Sequence, residues 1–363
     1  MNKLEADIRA MITQQGPISF ETFMNLALQH PHYGYYRRQM PLGAAGDFIT
    51  APEISQMFGE LLGLWAAAVH ERMGAPGRIL LVELGPGRGT LMRDALRAAR
   101  VAQNFFSALE LHLVEVNPRL REAQAAALYD SGLTPHWHAS LDDLPEAPMI
   151  VIANEFFDCF AVQHYLRRDG AWHEVCVHIN AAGALALAAA PLVTQGLPEP
   201  APEGAMLEIG AGAHRAMYDL GRRIARQGGA ALVIDYGHVA SRSGSSVQAL
   251  RAHRRVEVLA DPGESDITAH VDFASLARAA RAAGLEVAGP VSQRAFLRAI
   301  GIEARAAALM RRADAATAAS IEAALARLIG HDPGMGSLFK VLGVASPGLA
   351  ILPGFVAGDD DGQ

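Results

Sequence analysis

The run Ile79-Leu80-Leu81-Val82-Glu83-Leu84-Gly85-Pro86-Gly87-Arg88-Gly89-Thr90-Leu91 constrains this chain more than any other stretch. An unbroken apolar segment reads as a strand buried on both faces, and the glycines after it let the backbone turn tightly into a helix starting near Thr90. An open α/β sheet takes its nucleotide at such a turn. The third glycine of a dinucleotide-binding G-x-G-x-x-G would fall on Thr90, so that pattern is broken. Glu83, at the strand's end, repels a pyrophosphate and attracts a ligand carrying an ammonium or a sulfonium. S-adenosylmethionine carries both. Downstream, Leu111-His112-Leu113-Val114-Glu115-Val116-Asn117-Pro118 is a second buried strand ending in an acid, placed to accept hydrogen bonds from both ribose hydroxyls.

Each part alone has a plainer reading. Glycines make turns without any ligand, and an acid at a strand end is often a cap or a solvated loop residue. Their joint spacing favours a methyl-donor site, because each lies where one bound adenosine needs it.

The chain's 363 residues exceed one ordinary core, so one large domain with additions or two closely packed domains are expected. A net charge of −7 without a long Lys/Arg run argues against nucleic acid and leaves a basic protein segment as the more natural partner. Cys159 and Cys176 have no metal-ligand spacing and read as two buried thiols of a reducing compartment, with no metal expected. Met1 to Ile12 carries charges of both signs, unlike a signal or transit peptide, so a cytoplasmic protein is expected. The alanine-rich stretch from Ile179 to Val193 is too broken to insert in a membrane.

Along the chain, Asn2 to Gln14 reads as an amphipathic helix. Ser19 caps a second helix that aligns Phe20, Phe23, Met24, Ala27 and Leu28 on one face. The aromatic and glycine-rich loop through Tyr33, Tyr35, Phe48 and Thr50 is either a lid or a packed structural loop. From Glu53 a long helix carries Ile54, Met57, Phe58, Leu61, Leu62, Trp65 and Val69 as core, while dipole and solvent suffice to explain Glu53 and Glu60. His136-Trp137-His138 reads as a short third strand leading to Ser140 and Leu141, where an adenine would sit. Met149 to Asn154 is a further buried strand that delivers Asn154-Glu155-Phe156-Phe157-Asp158 to the carboxyl edge. Hairpin strands follow, then Met206-Leu207-Glu208-Ile209 as a return to the main fold, and a central strand ending at Asp235 and Tyr236.

The segments His32 to Tyr36, Gly46-Asp47-Phe48-Ile49-Thr50, Pro52 to Gly59, Glu83 to Gly89, Val114 to Pro118, Asn154 to Asp158, Ile234 to Gly237 and Asp266 to Phe273 together resemble the MidA-type family. These are bacterial and mitochondrial relatives of the complex I assembly-factor methyltransferase, and the resemblance covers nearly the whole chain. It implies an α/β fold with a Rossmann-like class I methyltransferase sheet, an N-terminal helical extension and a β-rich insertion. The implied division is 1–75 for the helices and lid loop, 76–158 with 204–290 for the core, 159–203 for the insertion, and 291–363 for the C-terminal helices and last strand. S-adenosylmethionine is the implied cofactor. In the mitochondrial relative the resemblance implies symmetric dimethylation of an arginine on a complex I subunit, so a protein partner carrying a target arginine is expected here. Phe160-Ala161 stands where the family usually has Leu-Pro, a departure that bears on the substrate entrance.

A guanidinium is a poor nucleophile while its lone pair is delocalised, so carboxylates must orient it and localise its charge. Glu155 and Asp158 are the candidates for that role, with Asn154 positioning the donor; a helix cap and a backbone contact are their plainer readings. His270 is a pocket candidate or simply a loop residue. The cofactor set is Glu83, Gly85, Pro86, Gly87, Gly89, Glu115, Val116, Ser140, Leu141, Asn154, Phe48 and Thr50. Three rival functions remain: a non-catalytic assembly chaperone with a structural cofactor site, a small-molecule methyltransferase, and a nicotinamide dehydrogenase. Thr90 and Glu83 argue against the last.

Overall fold

Ile79–Leu84 (β1), Leu109–Val114 (β2), Pro135–His138 (β3), Met149–Asn154 (β4) and Gly229–His238 (β5) form the parallel part of one sheet. The structure is a computed structural model that describes residues 1–38, 50–240, 242–331, 333–349 and 352–355. Glu286–Ser292 (β6) and Phe339–Ala345 (β7) extend the sheet antiparallel, giving the order β3-β2-β1-β4-β5-β7-β6. Parallel strands are covered on both faces, so they read as continuous apolar runs. β1 and β4 are buried at every position. The chain steps outward from β1 through β2 and β3, then returns to the other side of β1 with β4 and β5. That reversal sets the ligand crevice at the carboxyl ends of β1 and β4. At the start of β5, Gly229 has φ 136°, and a Cβ there would lie 1.9 Å from the Met149 carbonyl oxygen, so no side chain fits.

The helix Gln56–Arg72 (α1) covers this sheet with Met57, Phe58, Leu61, Leu62, Trp65 and Val69 buried, the stripe its periodicity predicts. It lies against Thr90–Ala99 (α2) through Gly63, where a Cβ would come 2.2 Å from the Ala95 carbonyl oxygen. Glu60 differs from its expected solvated role. It is buried, accepts hydrogen bonds from Arg97 at 3.0 Å and Arg305 at 2.7 Å, and ties α1 to two other helices. Burial works against its charge, but the two guanidiniums outweigh that and hold its carboxyl below the usual range.

Contacts divide the chain into two units. The sheet and helices just described belong to the second, Ile49–Phe157 with Ala216–Val239 and Phe273–Gln363. The first comprises Met1–Phe48, Asp158–Arg215 and Ala240–Asp272. It opens with helices Lys3–Gln15 and Phe20–Gln29. The Ser19 hydroxyl accepts the Thr22 N–H at 3.1 Å, and Phe20, Phe23, Met24, Ala27 and Leu28 are all buried, as the sequence predicts. These side chains pack with Ala161, Val162, Val177 and Ile267 into the unit's own apolar core. Burying a phenylalanine of this kind contributes about 2 kcal/mol. The unit's larger sheet is antiparallel: Gln163–Arg168, Ala171–Ile179, Leu185–Thr194 and Met206–Ile209, with Ile18–Ser19 added. One segment differs from expectation here: Met206–Ile209 pairs with Gln163–Leu166 rather than returning to the main fold. Leu185–Thr194, which overlaps the alanine-rich stretch, is a ten-residue strand paired with Ala171–Ile179. Cys159 and Cys176 are half-buried instead of fully buried. Among the described residues no helix is long and apolar enough to cross a membrane.

Candidate active site

At the end of β1 the backbone turns through Gly85, Gly87 and Gly89, whose φ values are 62°, 52° and 79°. Left-handed backbone disfavours side chains, which is the local reason three glycines stand here. The Gly85 N–H donates to the Val114 carbonyl at 3.1 Å and the Gly89 N–H to the Pro86 carbonyl at 2.8 Å, so the turn is pinned to β2 and then opens into α2. Glu83 is the last residue but one of β1, two positions before Gly85. It is buried, and its Oε2 has no hydrogen-bond partner among the described residues. Burial without a counter-charge pushes its carboxyl up to about 8. An uncompensated buried carboxyl is unfavourable. A cationic ligand satisfies it, whereas a diphosphate makes it worse, so the residues fit S-adenosylmethionine and not a dinucleotide.

Glu115 follows β2 and is also buried. Its Oε1 accepts the Asn117 N–H at 2.7 Å and its Oε2 accepts from Gln124 Nε2 at 3.3 Å. Burial raises its carboxyl above the ordinary range, and these donors oppose the rise. Arg121 clamps the Glu115 and His138 carbonyls from the helix Pro118–Ala127 (α3), which closes the end of β2 against β3. Val116 lies between these anchors. Ser140 and Leu141 stand beyond β3 at a short 3₁₀ turn, where Asp143 accepts the Ser140 N–H at 3.0 Å. His136 and His138 belong to β3, and both stack on the buried His112 of β2 at 5.1 Å between centroids. Burial, then the neighbouring imidazoles, lower His112 to about 4, so this buried imidazole is neutral.

β4 ends at Asn154, whose buried Oδ1 is a second polar atom with no partner among the described residues. Its Nδ2 donates to Glu155 Oε1 at 3.1 Å. Glu155 itself has φ 51°, a left-handed conformation uncommon for a residue with a side chain. Several bonds hold it there. The Glu155 N–H donates to the Ile234 carbonyl at 2.9 Å, and the next two N–H groups, of Phe156 and Phe157, converge on Asp235 Oδ2 at 3.2 and 3.0 Å. Asp235 Oδ1 takes the Tyr236 N–H at 2.9 Å. Asp235 is thus a fully buried anchor of the segment that carries Glu155. Backbone strain of this kind concentrates at functional sites.

The second unit therefore brings Glu83, the glycine turn, Glu115, Asn154 and Glu155 to the carboxyl end of its sheet. Asp158 and His270 belong to the first unit. There Asp158 is buried and its carbonyl accepts the Ala269 N–H at 3.0 Å, while the His270 N–H donates to Ser246 Oγ at 2.8 Å. Tyr36 donates to Asp266 Oδ1 at 2.7 Å, and burial, then Asp266, raise its hydroxyl well above its usual range. Tyr35 is buried in the unit's core. Thr50 is buried and precedes the short helix Ala51–Ile54. Phe48 lies outside the described residues. Sequence reasoning missed Gln124, whose signal is positional: it is a polar side chain on the face of α3 set by Leu120 and Leu128.

Comparison with known proteins shows the family and the fold. A family profile described as S-adenosyl-L-methionine-dependent methyltransferase matches residues 61–291. Among curated proteins, the chain is similar to the mitochondrial protein arginine methyltransferase NDUFAF7 homolog of Drosophila melanogaster, 35% identical over 98% of this chain and 86% of that one. It is likewise similar to mitochondrial protein arginine methyltransferase NDUFAF7 of Danio rerio, 35% identical over 93% and 85%. A crystal structure from Burkholderia thailandensis bound to S-adenosyl-homocysteine matches with a TM-score of 0.83 at 27% identity, covering 98% of this chain and 94% of that one. A native structure from the same organism matches with a TM-score of 0.84 at 30% identity, covering 99% and 95%.

These relatives correct the expectation of a cytoplasmic protein, because the fly and fish proteins are named mitochondrial. The charges from Met1 to Ile12 belong to a folded helix and say nothing about compartment. Leu4, Ile8 and Ile12 are core residues of a folded helix, and the charges between them mark its exposed side.

Proposed function

The chain belongs to the S-adenosyl-L-methionine-dependent methyltransferase family, and from that premise we propose that it methylates an arginine of a protein partner. When bound, S-adenosylmethionine supplies a methyl group on a sulfonium that is already a good leaving group. The remaining task is to bring the arginine nitrogen in line with it. Glu83 would face the cationic amino-acid end, the backbone of Gly85, Pro86, Gly87 and Gly89 would bend around it, and Glu115 with Val116 would take the ribose. Ser140 and Leu141 would flank the adenine, and Asn154 would steady the donor. Glu155 accepts hydrogen bonds from the guanidinium and draws positive charge away from the attacking nitrogen.

The observation that carries this reading is the left-handed Glu155, held by Ile234 and Asp235. A carboxylate needed only as a cap has no use for such backbone strain. Relatives named protein arginine methyltransferases support the choice of arginine. The MidA-type resemblance extends the proposal to symmetric dimethylation of a complex I subunit.

The test uses tritiated S-adenosylmethionine with lysate from a strain lacking this protein, followed by mass spectrometry of the labelled band. The expected result is a labelled protein whose acid hydrolysate contains symmetric dimethylarginine. Label only in the small-molecule fraction, or on a residue other than arginine, contradicts the proposal.

A further inference from the structure

We infer that Gln124 is a positioning residue for the methyl donor, holding the glycine turn and the ribose-binding carboxylate in one register. This rests on the reading that Glu115 takes the ribose hydroxyls. Gln124 is fully buried on α3. Its amide makes three contacts: Nε2 to the Gly87 carbonyl at 2.7 Å, Nε2 to Glu115 Oε2 at 3.3 Å, and Oε1 from the Trp137 indole at 2.8 Å. The third contact fixes the sense of the other two. An indole N–H can only donate, so the amide oxygen must face Trp137 and both amide hydrogens must face Gly87 and Glu115. One side chain thus joins the turn after β1, the acid after β2 and the strand β3. The backbone also crowds it: a Cβ on Gly89 would stand 3.3 Å from the Gln124 Cα, so turn and helix meet closely.

Two consequences follow for the donor. The amide hydrogen on Glu115 favours its ionised form, which is the form that accepts from ribose hydroxyls. The hydrogen on the Gly87 carbonyl fixes the orientation of a peptide in the turn, and with it the direction of the neighbouring N–H groups. Removing the amide leaves a buried carbonyl, an indole N–H and a carboxylate short of partners together.

The test is calorimetry with S-adenosylhomocysteine and its 2′-deoxy analogue on wild type, Gln124→Met, Trp137→Phe and Glu115→Gln. Methionine keeps the length and volume of glutamine, which protects folding. Gln124→Met is expected to weaken S-adenosylhomocysteine about tenfold or more. It is also expected to shrink the preference over the 2′-deoxy analogue, and to shift the fall of affinity on acidification to higher pH, because Glu115 has lost a donor. Trp137→Phe, which frees the amide to rotate, follows with the same pattern and a smaller loss. Equal losses for both ligands in Gln124→Met, or no loss, overturn the inference while a weakened Glu115→Gln upholds the ribose reading. Undiminished affinity in Glu115→Gln sinks the ribose reading itself and the inference with it.

Discussion

Glu83→Gln raises the dissociation constant for S-adenosylhomocysteine at pH 8.5 by about a hundredfold, the loss expected when a dry charge pair is reduced to a neutral contact. The reason is the environment of the carboxyl. It is buried at the end of β1, its Oε2 has no partner among the described residues, and burial alone pushes it up to about 8. At pH 7 the ligand-free protein therefore holds Glu83 mostly protonated, and a cationic ligand must displace that proton. Affinity in the wild type rises with pH up to about 8 and then levels, while Glu83→Gln loses this slope.

Stability of the ligand-free protein moves the other way. The folded-state pKa lies above the unfolded value near 4.5, so Glu83's contribution is complete below that pH and is lost as pH climbs toward about 8. Glutamine has no proton to lose. The variant is thus expected to match wild type near pH 4.5 and to exceed it at pH 8 by a few kcal/mol, on the order of the shift multiplied by 1.36. Thermal melts at the two pH values, with and without S-adenosylhomocysteine, check both signs. A variant that binds normally, or that melts lower than wild type at pH 8, removes Glu83 from the site.

Glu155→Gln is expected to cut methyl transfer by roughly a hundredfold to a thousandfold while leaving S-adenosylhomocysteine affinity unchanged, the range for losing one oriented electrostatic group. Glutamine preserves the side chain's shape and the contact with Asn154 but removes the charge. Glu155→Gly separates function from strain. An L-residue in left-handed backbone costs about 1 to 2 kcal/mol, which glycine relieves, so this variant should melt no lower than wild type despite being inactive. Single-turnover rates with the arginine substrate, beside melting curves, read both properties. Full activity in Glu155→Gln, or a glycine variant that is both inactive and strongly destabilised, contradicts the assignment.

The second unit was largely legible in the sequence because physics writes parallel strands plainly. Ile79–Leu84 and Met149–Asn154 are apolar runs buried at every position, and Gly85, Gly87 and Gly89 sit where φ turns positive. The Glu83 argument needed only charge and position. What stayed hidden depends on long-range pairing. Leu185–Thr194 is alanine-rich and carries no alternating pattern of its own; it is a strand because Ala171–Ile179 offers it an edge. Met206–Ile209 has a strand's composition, but composition does not say which strand it joins. Glu60 looked like a surface acid because its partners Arg97 and Arg305 are far along the chain. The strain at Glu155 was out of reach, since nothing in Asn154-Glu155-Phe156 announces a positive φ without Asp235 gathering the following N–H groups.

The central claim is that the corner between Glu83, the glycine turn and Glu115 holds a positively charged sulfur nucleotide. A crystal structure of the chain with S-adenosylmethionine tests it most directly. The amino-acid end should lie within hydrogen-bond distance of Glu83 and the two ribose hydroxyls on Glu115. A ligand whose ribose lies away from Glu115, with Glu83 left untouched in the protein's interior, contradicts it.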